Sequence, residues 1–364
     1  MDKRLEGQKR FRSTWRMWLA TFCVAALLGV PLLLPSAPGY AQDQAQSATA
    51  ASANPQENPR AGFWREVRNG DSGYTTAGTP QSDVLIQNGG QNWRQLRNGP
   101  IANYGGWLMG IVLIGIALFL AIRGRIRIHA GPSDKRIIRF TLWQRLVHWF
   151  TATLFVVLGL TGVAILYGRA VLIPLMGKDA FSVIAMASKQ IHNFVGPLFV
   201  VAVMMLVVTF IAGNFYARGD LEWLKKGGGI VGSGHASCGR YNLGEKSWFW
   251  LATVAGVLVA GSGLVLDFPN FGQSRAVMQW GEVVHAVSAL IFISASFGHI
   301  YIGTLGMQGA IDGMAKGHVD ANWAKEHHDR WYEDMEREGQ VRPLAEVEAQ
   351  RASVPPAAQR KAPG

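Results

Sequence analysis

VVHAVSALIFISASFGHIYIG, residues 283–303, contains no Asp, Glu, Lys or Arg, yet it carries two histidines, His285 and His299. A run of about 20 predominantly apolar residues is what an α-helix needs to cross the hydrocarbon core of a bilayer. Fourteen residues separate the histidines, which is about 21 Å along a helix axis and within about 40° of the same face. An ionisable group at membrane depth is costly and by default marks a functional site. This one stretch therefore reads as a membrane helix holding two imidazoles at two depths.

The rest of the chain repeats the pattern. Windows free of Asp, Glu, Lys and Arg run over 17–42, 98–122, 146–168, 190–217, 247–266 and 283–311. Charged residues make up only 16% and hydrophobic ones 49%, against about 25% charged in soluble domains. A soluble globular enzyme is excluded. The expected fold class is all-α, a transmembrane helix bundle with spans near 104–122, 146–168, 192–213, 247–266 and 283–305.

The N-terminus resembles a secretory signal. Lys3, Arg4, Lys9, Arg10, Arg12 and Arg16 precede an apolar run, and Gly39 and Ala41 frame a cleavage point. The alternative is an uncleaved anchor. Removing 1–41 takes six basic and two acidic residues from the formal +11 and leaves +7. Residues 42–103, rich in Gln, Asn, Ser, Ala and Gly, read as a loosely ordered exported segment, and 339–364 as a disordered C-terminus.

Orientation follows from basic loop residues. Loops 123–145 and 214–246 hold seven and five Lys and Arg, whereas 168–191 and 267–282 hold three and one. The first pair is expected in the cytoplasm, with the exported segment outside and a cytoplasmic C-terminal tail. The basic balance is thus a topology signal that needs no nucleic acid. A G-x-G-x-x-G at Gly227, Gly229 and Gly232 lies in a loop between spans, not in a βαβ unit, and is not a dinucleotide site.

Four of nine histidines fall in the apolar windows: His148, His192, His285 and His299. With alternating spans, His192 comes level with His285 near the outer surface, and His148 with His299 near the inner one. Two pairs at two depths suit two bis-imidazole b-type haems held between helices. Zinc needs three or four ligands at one level. A proton relay competes, but would want Asp or Glu, and the windows contain neither. Glycines at 159, 162, 196, 256, 261, 263, 298 and 303 would admit a flat macrocycle, or simply let helices pack closely. The two cysteines, Cys23 and Cys238, form no C-x-x-C-H haem attachment, no zinc or iron–sulfur set and no disulfide framework. His129, His235 and the tail residues His318, His327 and His328 carry no comparable pattern, and 324–339 reads as a solvated docking surface.

RFTLWQRLVHWFTATLFVVLGLTG (139–162), IHNFVGPLFV (191–200), YNLGEKSWFW (241–250) and the run from Val283 to His328 resemble the cytochrome b, or gamma, subunit of respiratory formate dehydrogenase. The resemblance covers about 139–338. It implies that His148 and His299 ligate a haem nearer the cytoplasm and His192 and His285 one nearer the periplasm. It further implies a quinone pocket at Asn242, Gly244 and His299. Formate oxidation itself would fall to a partner subunit with a molybdenum or tungsten pterin, delivering electrons through an iron–sulfur partner. The implied location is the bacterial inner membrane, among lipid. A hydrogenase-type cytochrome b and a non-catalytic membrane anchor are the competing readings. The signal-like segment, the exported segment and the span 104–122 depart from the four-helix form of this family.

Overall fold

The computed structural model describes residues 90–229 and 236–353, together with positions 62, 65, 68 and 69. The signal-like segment, almost all of the exported segment before residue 90, and residues 354–364 lie outside the described residues, as do Cys23, Gly232 and His235.

Helix α1 (Gly90–Leu96) runs through a widened turn containing Pro100 into α2 (Ala102–Arg123). A proline lacks the N–H for the normal helical bond, so a wider turn is where it fits. Strand β1 (Lys135–Ile138) precedes α3 (Leu142–Phe210), which begins on a reciprocal cap between Thr141 and Gln144. At 69 residues α3 would measure about 104 Å if straight, more than three times the membrane core. It is instead a hairpin. Gly177 takes φ 82° and ψ 171°, a conformation open almost only to glycine. The Thr161 hydroxyl reaches His192, that of Thr151 reaches the Ala202 carbonyl, and Gly168 lies against Phe181. Those contacts require antiparallel arms on either side of Gly177.

After α4 (Asp220–Lys225), α5 (Leu243–Asp267) and α6 (Arg275–Tyr301) complete the bundle. Four helical stretches are long and apolar enough to cross a membrane: Asn92–Arg123, Leu142–Phe210, Leu243–Asp267 and Arg275–Gly306. With α3 folded on itself, they account for the five expected spans. One expectation changes. The interval 168–191, read as a loop because of Arg169, Lys178 and Lys189, is helical on both sides of Gly177. Its stretches AVLIPLM and AFSVIAMA are apolar enough to continue each arm.

The additional span α2 packs against α3 and α6. A Cβ on Gly105 would lie 2.4 Å from a Leu290 methyl, so a larger residue there would have to push the Leu290 side chain aside. Tyr167 donates its hydroxyl to the Ala102 carbonyl at 2.8 Å, and Phe119 meets Tyr301 edge-on at 6.3 Å. Just before α2, Arg97 pairs with Glu282 of α6 at 2.9 Å.

The other end of the bundle is not all-α. Following α7 (Asp312–Lys316), strand β2 (His318–Asp320) pairs antiparallel with β1, whose other edge takes β3 (Arg342–Pro343). Helices α8 (Ala321–His327), α9 (Asp329–Arg337) and α10 (Leu344–Ser353) cover this sheet. Ile128, Ile137, Val319, Trp323, Ala324 and Trp331 form its core. Two expectations are corrected here. The segment 324–339 is not simply a solvated surface, because Trp331 is buried while Glu333, Asp334, Glu336 and Arg337 face out. Residues 342–353 are structured, with Val347 buried, rather than part of a disordered terminus. The bundle thus has a hairpin end, at Gly177, and a sheet end.

Candidate functional site

The four membrane histidines meet in two pairs. His192, on the second arm of α3, faces His285 of α6 with ring centres 6.0 Å apart. His148, on the first arm, faces His299 of α6 at 6.2 Å. The first pair lies toward the hairpin end and the second toward the sheet end. Between the two levels Phe292, seven residues from each α6 histidine, packs on Phe155 at 4.5 Å in an apolar layer with Phe199, Val203 and Ala255.

The hairpin-end pair borders a cavity of about 390 Å³. Gly159, Gly162, Gly196 and Gly263 line it among aliphatic side chains, and Arg97, Asp267 and Glu282 supply its charged lining. Each imidazole is held by its Nδ1, His192 against the Thr161 hydroxyl at 2.8 Å and His285 against the Val259 carbonyl at 3.0 Å. A carbonyl only accepts, so His285 carries its proton on Nδ1 and presents a bare Nε2.

At the sheet end His299 stacks on Trp248, with centres 4.5 Å apart and planes within 10°. Trp149 meets His148 edge-on at 5.2 Å. Asn242 and Gly244 sit at the N-terminus of α5, where Asn242 accepts from the Glu245 N–H and the Glu245 carboxylate accepts from the Asn242 N–H. Asn242 therefore caps the helix, as its position predicts. Six residues, about 9 Å of helix, separate it from Trp248, the α5 residue that stacks on His299.

Below that cap lies a cluster that the sequence did not reveal. Arg139 is buried among Phe140, Tyr241, Trp323 and Trp331, with its guanidinium 5.0 to 5.9 Å from their ring centres. It donates to Glu245 at 2.8 Å. His328 donates from Nδ1 to the Gly239 carbonyl, and its Nε2 lies 3.8 Å from Glu245. Burial, reinforced by the Arg139 charge, holds the His328 imidazole well below its usual range. Burial, aided by Glu245 and Asp329, pushes the Cys238 thiol up to about 12, which makes it inert as a nucleophile. The trace of this cluster in the sequence was the recurrence of aromatic residues and histidine in an otherwise charged tail, Trp323, His328 and Trp331. Among the described residues no group of three or more His, Cys, Asp and Glu could hold a bare metal ion.

Residues 139–317 match the family model described as prokaryotic cytochrome b561. The formate dehydrogenase cytochrome b556(fdo) subunit of Escherichia coli K12 is 31% identical over 205 residues, which is 55% of this chain and 94% of that protein. The chain belongs to the formate dehydrogenase cytochrome b family. The nitrate-inducible cytochrome b556(Fdn) subunit of the same organism is 29% identical over 216 residues, covering 56% of this chain and 94% of the relative. The cytochrome b556 subunit of Haemophilus influenzae is 30% identical over 211 residues, covering 56% and 84%.

All four paired histidines, Asn242 and Gly244 fall inside the matched span of this cytochrome b, whereas α1 and α2 fall outside it. The family implies b-type haem, and the residues present fit one. Two imidazole nitrogens on opposite sides of an ion, each about 2 Å from it, would stand with their ring centres about 6 Å apart, and the two pairs stand at 6.0 and 6.2 Å. The donor set is neutral imidazole, which suits haem iron.

Proposed function

We propose that this chain is the membrane electron-transfer subunit of a formate dehydrogenase complex, passing electrons from an iron–sulfur partner through two b haems to quinone. The observation that carries this reading is the pairing of four histidines at two levels, each pair spaced for one shared metal ion. When bound, haem supplies reversible one-electron chemistry. The chain's own residues do the rest. His192 and His285 hold the group at the hairpin end, and His148 and His299 hold the one at the sheet end. The Phe155–Phe292 layer keeps water out between them.

In this reading the hairpin end faces the periplasm and the sheet end the cytoplasm, in a bacterial inner membrane. The basic loops 123–145 and 214–246 both meet the sheet end, where Arg139 of one contacts the Arg240 carbonyl of the other, in keeping with positive-inside topology. Quinone would be bound near Asn242, Gly244 and His299, with the Asn242 amide N–H group as donor while its oxygen caps α5. Formate oxidation would belong to a molybdenum- or tungsten-pterin partner. Among the described residues Cys238 is the one cysteine, and it is buried. The test is co-purification of the membrane complex. Formate should reduce b-type haem in the complex and not in this chain alone. Haem in the isolated chain reduced by formate without a partner would overturn the division of labour.

A further inference from the structure

Both histidines of the hairpin-end pair are held by the same two-residue device on different helices. On α3 it is Thr161–Gly162 and on α5 it is Ser262–Gly263. The Thr161 hydroxyl donates to the Val157 carbonyl at 2.8 Å, so its oxygen is left to accept from His192 Nδ1, also at 2.8 Å. The Ser262 hydroxyl donates to the Leu258 carbonyl at 2.5 Å, leaving its oxygen to accept from His285 Nδ1 at 3.2 Å. Each imidazole also has a backbone carbonyl as a second acceptor, Leu158 for His192 and Val259, at 3.0 Å, for His285. The glycine that follows each hydroxyl lies against the same imidazole. A Cβ on Gly162 would stand 3.3 Å from His192 Cε1, and one on Gly263 would stand 3.2 Å from His285 Cε1. Hydroxyl and glycine together fix the tautomer, the ring plane and the direction of each Nε2.

The sheet-end pair differs. Among the described residues, the buried His148 Nδ1 has no hydrogen-bond partner. An N–H that donates to an acceptor makes the imidazole a stronger base toward metal, and such outer contacts set both ring orientation and reduction potential. A more basic ligand favours the oxidised, more positive iron and so lowers its potential.

We infer that Thr161 and Ser262 are positioning residues that lower the reduction potential at the hairpin end relative to the sheet end. This rests on the two-haem reading above. The lower potential then lies where electrons would enter and the higher one where they would leave, so transfer toward the sheet end runs downhill.

The experiment is a potentiometric titration of the purified, haem-loaded full chain, followed by optical spectra and by the low-spin ferric electron paramagnetic resonance signals. Thr161→Val, close in shape but without the hydroxyl, should raise the lower midpoint potential, change one ferric signal and leave the higher midpoint in place. Thr161→Ser should restore the original value. Ser262→Ala should give a smaller rise, because its hydroxyl lies farther from the imidazole, 3.2 Å against 2.8 Å for Thr161. If Thr161→Val instead loses one haem while Thr161→Ser keeps both, the positioning role stands. Two haems present with both midpoints unmoved in Thr161→Val, or with both moved equally, would overturn the inference while leaving the two-haem reading intact. A wild-type chain holding fewer than two haems would take down that reading, and the inference with it.

Discussion

Trp248 covers one face of His299, with ring centres 4.5 Å apart and planes within 10° of parallel. The same indole packs against Phe292 at 6.0 Å, which joins the sheet-end histidine to the apolar layer between the two levels. A stacked aromatic pair contributes about 0.5–1.5 kcal/mol beyond its buried area. Trp248→Leu should therefore loosen the sheet-end site about five-fold and leave the hairpin-end site unchanged. Haem retention and the two ferric spectra, compared with those of wild type, check this. Equal loss at both levels would contradict it.

Asn242 has two separable tasks. Its side-chain oxygen caps α5 and its amide group is the donor proposed for quinone. Asn242→Asp keeps an acceptor for the cap and removes the amide donor, so quinone reduction should fall several-fold while thermal stability holds. Asn242→Ala should lose both, with a stability cost of about 1 kcal/mol. Steady-state quinone reduction and a melting curve on each variant separate the roles. Undiminished quinone reduction in both variants would leave Asn242 as a cap alone.

His328 makes stability depend on pH. Its imidazole is buried and held well below 6.5 in the folded chain, whereas in the unfolded chain it titrates near 6.5. Below about pH 6.5 the unfolded state binds a proton that the folded state refuses. Its stabilising contribution is therefore complete above that pH and falls by about 1.4 kcal/mol per pH unit below it. Between pH 7 and pH 5 wild type should lose more stability than His328→Gln. Parallel pH profiles for the two proteins would show that His328 does not titrate in this way.

Gly177 turns α3 back on itself in a backbone conformation that other residues enter only at a cost of about 1–3 kcal/mol. Gly177→Ala should lower the melting temperature without altering the spectrum of either histidine pair, which lies well down the hairpin arms. Gly263→Val makes the opposite trade. It adds bulk 3.2 Å from His285 and should deplete the hairpin-end haem while the rest of the bundle stays folded. Haem content beside a melting curve distinguishes the two variants.

The spans and the four histidines were legible because both signals are local. A charge-free window needs only composition, and a fourteen-residue spacing needs only helix geometry. The sheet was not. Its strands are four, three and two residues long, and Ile137 finds its partner Val319 far along the chain. No periodicity survives at that length. The hairpin through 168–191 was obscured because Arg169, Lys178 and Lys189 imitate a loop while their neighbours sustain helix. Thr161 and Ser262 were hidden for another reason. A hydroxyl in a membrane helix ordinarily bonds back to its own helix, as both do here. Only the structure shows the second bond to histidine. The recurrence of hydroxyl followed by glycine was the trace left in the sequence.

The most direct test is a count of haem. A pyridine haemochrome assay on the purified full chain should give two b-type haems per polypeptide. His192→Ala should reduce this to one while leaving the second haem spectrally unchanged and reducible. A folded, wild-type preparation without b-type haem, or a His192→Ala variant that retains two, would contradict the account.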